Sequence, residues 1–142
     1  MGGRASRENE RKAMNNYLAD ATVIIDHLRG EEKATLFLEE FNPYISVVTL
    51  AELIQGSQNK EEQTLVLKIC ASFPGLTISK SISDLSIELM SKFFLSQNLS
   101  FLDALIAASA LENKLVLVTD NIKHFKFIKE LKAVSHGSVF KS

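Results

Sequence analysis

Leu115, Val116, Leu117 and Val118 follow one another with no polar side chain before Thr119, and an acid, Asp120, comes directly after. A half-exposed strand alternates apolar with polar residues. A run that is apolar on both sides must be covered on both faces, which is the situation of a strand in the middle of a parallel sheet. Covering both faces takes helices above and below, so strands and helices should alternate along the chain.

They do. An apolar run at residues 17–19 ends at Asp20, and residues 22–28 have the pattern of a short helix that Gly30 can close in the left-handed conformation. Residues 31–41 carry Ala34, Phe37, Leu38 and Phe41 at helical spacing, and Asn42-Pro43 stops them. A β-branched strand is expected at 44–48, helices at 49–55 and 61–73, and a strand at 76–79 after the turn Pro74-Gly75. Helices at 83–97 and 102–113 precede the apolar strand. A short helix from Lys126 and a strand near 133–135 complete the series. The expected fold is a three-layer α/β/α sandwich with a central, mainly parallel sheet, and ligands in such sheets gather beyond the carboxyl ends of the strands.

With 142 residues there is enough chain for one domain with one core. Residues 1–13 lack apolar periodicity and read as a disordered leader or a cloning remnant, so the domain is taken as 14–142. No apolar run approaches the length of a membrane span, and no secretory signal is evident. The single cysteine, Cys70, is expected as a buried free thiol. Net charge is −1, so a chain like this does not grip nucleic acid over its whole surface. One basic stretch stands out: Lys123, Lys126, Lys129 and Lys132 recur every third residue, as on a solvated helix face or a phosphate-contacting rim. His27, His124 and His136 have no metal-ligand spacing and are expected at the surface.

Four acidic positions share one context. Asp20 ends the first strand, Glu52 lies one turn into the helix after the second, Asp103 opens the helix before the apolar strand, and Asp120-Asn121 ends that strand. In a parallel sheet they would meet at one edge, and carboxylates crowded together call for a hard divalent cation. Each also has a local explanation. Thr49 to Glu52 and Ser100 to Asp103 fit capping boxes, Asp120-Asn121 fits a turn, and Asp26 fits a solvated or salt-bridged acid. Asp20 is harder to explain locally, because no turn residue stands beside it and a buried acid needs a partner. There is no Gly-rich phosphate loop and no nucleophile elbow.

These segments resemble the PIN-domain family. Residues 17–26, around Asp20, resemble its opening motif. Residues 45–53, around Glu52, resemble the second, residues 102–110, around Asp103, the third, and residues 116–125, around Asn121, the fourth. They stand in the family's order and span most of the chain, and together they resemble the VapC-type toxins of toxin–antitoxin pairs.

The resemblance implies an endoribonuclease that uses Mg²⁺ or Mn²⁺. Asp20, Glu52 and Asp103 would hold the metal and carry catalysis, with Asn121 at the fourth position. Asn121 stands where an aspartate is usual, and Asp120 could supply the missing charge only if its side chain turns inward. Ala21 and Thr22 keep one of the hydroxyls usual after the first acid. The resemblance further implies a cytoplasmic protein with an RNA substrate, a cognate antitoxin and a homodimer. A catalytically weak interaction module on the same fold is the alternative, favoured by Asn121. A phosphatase with an aspartate nucleophile is disfavoured, because its usual second acid would fall on Thr22.

Overall fold

The computed structural model describes residues 16–140. The expected leader at residues 1–13 lies outside the described residues. Strands β1 (Tyr17–Ala19), β4 (Val116–Val118) and β5 (Ala133–Val134) form a parallel sheet in the order β1-β4-β5. Strands β2 (Ile45–Ser46) and β3 (Gly75–Leu76) form a second parallel pair. A parallel bridge between Leu18 and Tyr44 joins the two, with Ala19 N–H donating to Tyr44 O at 3.0 Å and Tyr44 N–H to Tyr17 O at 2.9 Å. The strands therefore run β3-β2-β1-β4-β5, and the apolar β4 is an inner strand.

Among the described residues six α-helices flank the strands: α1 (Ala21–Leu28), α2 (Glu32–Phe41), α3 (Val47–Gly56), α4 (Lys60–Ala71), α5 (Lys80–Gln97) and α6 (Phe101–Glu112). The strand side chains show that both faces are covered. Leu18 and Leu117 enter one apolar cluster with α5, α6 and the segment after β4. Their neighbours Ala19 and Val118 enter the other, with α1, α2, α3 and α4. Alternate residues of a strand point to opposite faces, so the two clusters lie on opposite sides of the sheet. In α6 every residue from Ala104 to Ala110 is buried, as expected of a helix that is apolar all round.

Boundaries differ from the sequence expectation where polar side chains take over the backbone. The strand expected at 44–48 stops at Ser46, whose Oγ accepts from Val48 N–H (3.1 Å) and Thr49 N–H (3.2 Å) and starts α3 early. Ser79 likewise caps α5 by accepting from Ile82 N–H, which cuts β3 short and starts the helix at Lys80. No α-helix begins at Lys126; residues 122–131 form a 3-10 turn (Ile122–His124) and further turns. Asn42 ends α2 in the left-handed conformation (φ 44°), with its N–H on Leu38 O. Cys70 is buried and free, as expected.

Candidate active site and metal centre

Parallel pairing of β1 with β4 aligns Ala19 with Val118, so Asp20 and Thr119 emerge side by side at the carboxyl edge of the sheet. Asp20 N–H donates to Val118 O at 3.1 Å. The Asp20 side chain then caps α1, accepting from Thr22 N–H at 2.9 Å and from the Thr22 hydroxyl in a short bond. Helices that connect parallel strands run back against them, so their N-termini lie at this same edge. Glu52 sits in the second turn of α3 and Asp103 in the first turn of α6.

The three acids sense one another. Burial pushes the Asp20 carboxyl above the usual carboxylate value. Hydrogen bonds from Thr119 and Thr22 oppose that shift, and the charge of Asp103 adds to it. Burial also raises Glu52, and the charges of Asp20 and Asp103 raise it further. Asp103 is raised by burial against the lowering pull of His124, whose Nδ1 lies 3.5 Å from Asp103 Oδ2. His124 is the only basic group in ion-pair contact with the three among the described residues. Carboxyls gathered in this way repel one another, but their oxygens do not all come within 4.8 Å of one another, as the ligand atoms of Asp26, Asp120 and His136 do.

The capping box expected at Thr49–Glu52 does not form. Ser46 is the cap, Thr49 lies inside the first turn, and Glu52 has no capping task. Thr49 Oγ1, fully buried one turn before Glu52, has no hydrogen-bond partner. The second box forms by half, since Ser100 Oγ accepts from Asp103 N–H at 3.1 Å.

Asp120 is engaged elsewhere. Its carboxyl meets Asp26 of α1 and His136, and one ligand atom from each lies within 4.8 Å of the others. His136 Nε2 is 3.1 Å from Asp26 Oδ2, 3.2 Å from Glu31 Oε1 and 3.5 Å from Asp120 Oδ1. Asp120 is pushed up to about 7, by burial first and then by Asp26, whereas Asp26 is lowered, first by its hydrogen bond with Asp120. Asn121 is exposed and donates its backbone N–H to Thr119 Oγ1 at 3.0 Å. The expectation that His136 lies at the surface fails: it is 4% exposed, held by acids up to 110 residues away. No local pattern signals such a partner. Thr22 links the two groups, because its hydroxyl contacts Asp20 and also accepts from Asp120 N–H at 2.9 Å.

Comparison with known proteins gives a consistent result. The PIN-domain family model matches residues 17–130. Ribonuclease VapC10 of Mycobacterium tuberculosis is 36% identical over 120 residues, covering 81% of this chain and 90% of that protein. Among solved structures, a toxin–antitoxin complex from Klebsiella pneumoniae superposes with a TM-score of 0.70 at 27% identity, covering 84% of this chain and 97% of the other. VapBC2 from Rickettsia felis, bound to a DNA fragment from its promoter, gives 0.71 at 25% identity, covering 82% and 96%.

Proposed function

The chain belongs to the PIN-domain family, and on that premise we propose that it is the endoribonuclease toxin of a toxin–antitoxin pair, with Asp20, Glu52 and Asp103 as its active acids. The observation that supports this reading is the placement of the three acids at one sheet edge, Asp20 at the end of β1, Glu52 in the second turn of α3 and Asp103 in the first turn of α6, with no lysine or arginine in ion-pair contact among the described residues. The donor set suits a hard cation: three carboxylates supply oxygen only, and the unpartnered Thr49 hydroxyl lies one turn from Glu52. Mg²⁺ or Mn²⁺ is the ion we assign.

When bound, such an ion shields phosphate charge and makes water a stronger nucleophile. The chain's own residues do the positioning. Asp20 is locked by Thr22 and Thr119, so its oxygens cannot swing away from the cleft. Asp103 is steadied by His124. Glu52, only half-buried and free of capping, is placed to hold the ion or to orient and accept a proton from the attacking water. Attack on phosphorus opposite the leaving oxygen yields a 5′-phosphate and a 3′-hydroxyl. By its place in the fourth motif, Asn121 would contact the substrate as a neutral group. Asp120 belongs to a second group, with Asp26 and His136, whose ligand atoms lie within 4.8 Å of one another and could themselves hold an ion; the motif order favours Asp20, Glu52 and Asp103 for the active ion.

The partners follow from the same reading: RNA as substrate, a cognate antitoxin, and a second copy in a homodimer. The surface supports protein contacts. Leu95 of α5 is 96% exposed and Ile87 60%, and an apolar groove of about 460 Å³ opens between β3, α3 and α4. No helix among the described residues is long and apolar enough to cross a membrane, and we place the activity in the cytoplasm. The test is cleavage of RNA by Asp20→Asn. We expect loss by roughly three orders of magnitude or more, with the fold retained by circular dichroism. Undiminished Mg²⁺-dependent cleavage by the variant would defeat the assignment.

A further inference from the structure

The lysine series is unexplained by the fold, because the helix that would have solvated it does not form. In its place the backbone makes linked turns with a three-residue period. Phe125 N–H donates to Ile122 O (2.9 Å), Ile128 N–H to Phe125 O (3.0 Å) and Leu131 N–H to Ile128 O (3.1 Å). The three donors are also the anchors, with Phe125 at 2%, Ile128 at 1% and Leu131 at 8% exposure. Lys126, Lys129 and Lys132 each follow an anchor directly and are exposed, and exposed Lys123 precedes them one period earlier. Apolar anchoring at one phase of this repeat therefore sets the four lysines at another, all of them exposed.

The row has a direction. It connects the carboxyl end of β4 to the start of β5, and these strands are parallel, so it runs from the active edge of the sheet toward the opposite edge. Its first end is tied to the active site, since His124, next to Lys123, contacts Asp103. Its far end is fixed by Leu117 N–H on Lys132 O at 2.9 Å. None of the four lysines has an ion pair among the described residues, and Glu130 is the one acid within the segment.

We propose that Lys123, Lys126, Lys129 and Lys132 form a track for the phosphate backbone of a single RNA strand leaving the cleft. This rests on the nuclease reading above. Lysines bind phosphate as point charges and read no base, so the track sets affinity and register, and sequence choice resides elsewhere. Of the segment's two phenyl rings, Phe125 is a buried anchor and Phe127 packs against Phe93 at 5.0 Å, so neither is free to stack on a base.

The test compares Lys123→Gln/Lys126→Gln/Lys129→Gln/Lys132→Gln with an equal-charge control, Lys33→Gln/Lys60→Gln/Lys68→Gln/Lys92→Gln. Binding of fluorescein-labelled oligouridine is measured in chelator across a salt series, and cleavage of the same RNA is measured in Mg²⁺. Each phosphate contact contributes about 0.7 to the slope of log affinity against log salt, so the track variant should lose about 2.8 and the control should lose little. KM should rise about tenfold or more in the track variant, with kcat within about twofold. Equal slopes and equal KM in the two variants would overturn the track. So would loss of binding to a polyglutamate peptide with RNA binding intact, which would assign the row to an acidic protein. A wild-type chain that binds RNA through the track but never cuts it would sink the nuclease reading and leave the track standing. A wild-type chain that neither binds nor cuts would sink both.

Discussion

Two acidic groups share the carboxyl edge of one sheet and handle like charge differently. Asp20, Glu52 and Asp103 are all raised by burial; Thr119 and Thr22 oppose the shift at Asp20, His124 and Ser100 oppose it at Asp103, and nothing opposes it at Glu52. Asp26, Asp120 and Glu31 surround the buried ring of His136, and Asp120 and Asp26 share a hydrogen bond that pushes their values apart. The second group has a histidine of its own at the centre, whose Nε2 faces all three acids while its buried Nδ1 has no hydrogen-bond partner. On the proposed function, the first group is the one that takes the cation. Side-chain chemistry alone would not separate the two groups. The difference lies in how the basic group sits: His136 is buried among three acids, whereas half-exposed His124 touches Asp103 alone.

The largest effect should separate the groups by activity. Asp103→Asn should lower kcat for RNA cleavage by roughly a thousandfold, whereas Asp26→Asn should cost no more than about tenfold. Comparable losses in the two variants would erase the distinction.

The next effect is on stability and runs the other way. His136→Asn removes the one group that holds three carboxyls together. It should cost about 2 kcal/mol by urea unfolding, less than a fully buried pair would, because Glu31 and Asp120 remain partly open to water. An unchanged unfolding midpoint would mean that the acids are already satisfied without the imidazole.

The smallest effect is a pH dependence. Asp120 is raised from 3.8 to about 7, so its folded form holds a proton that the unfolded form has released. Stability from this group is complete below the unfolded value and is lost as pH rises through about 7. Asp120→Asn removes that loss, so its Tm relative to wild type should climb between pH 4 and pH 7. A difference that falls over this range would give the shift the opposite sign.

Much of this was legible in the sequence, for identifiable reasons. The unbroken apolar run of β4 dictated cover on both faces, and Leu117 and Val118 do lie in opposite clusters. The parallel arrangement carried Asp20 and Asp120 to one edge because they stand one and two residues beyond paired strand ends. Local polar competition was less legible. Ser46 and Ser79 took the cap positions from neighbours with equal claims, and this freed Glu52 from the capping role that Thr49 suggested. The turns after β4 were hidden because a three-residue period of lysines is equally compatible with a helix face. The Asp26–His136 contact was invisible, since it joins α1 to the last turn of the chain and neither residue carries a local signature.

Diffraction from crystals soaked in Mn²⁺, with the ion located by its anomalous signal, bears most directly on the central distinction between the two groups. A peak among the oxygens of Asp20, Glu52 and Asp103 is the predicted result. A peak between Asp26, Asp120 and His136 instead, with none beside Asp20, would contradict it.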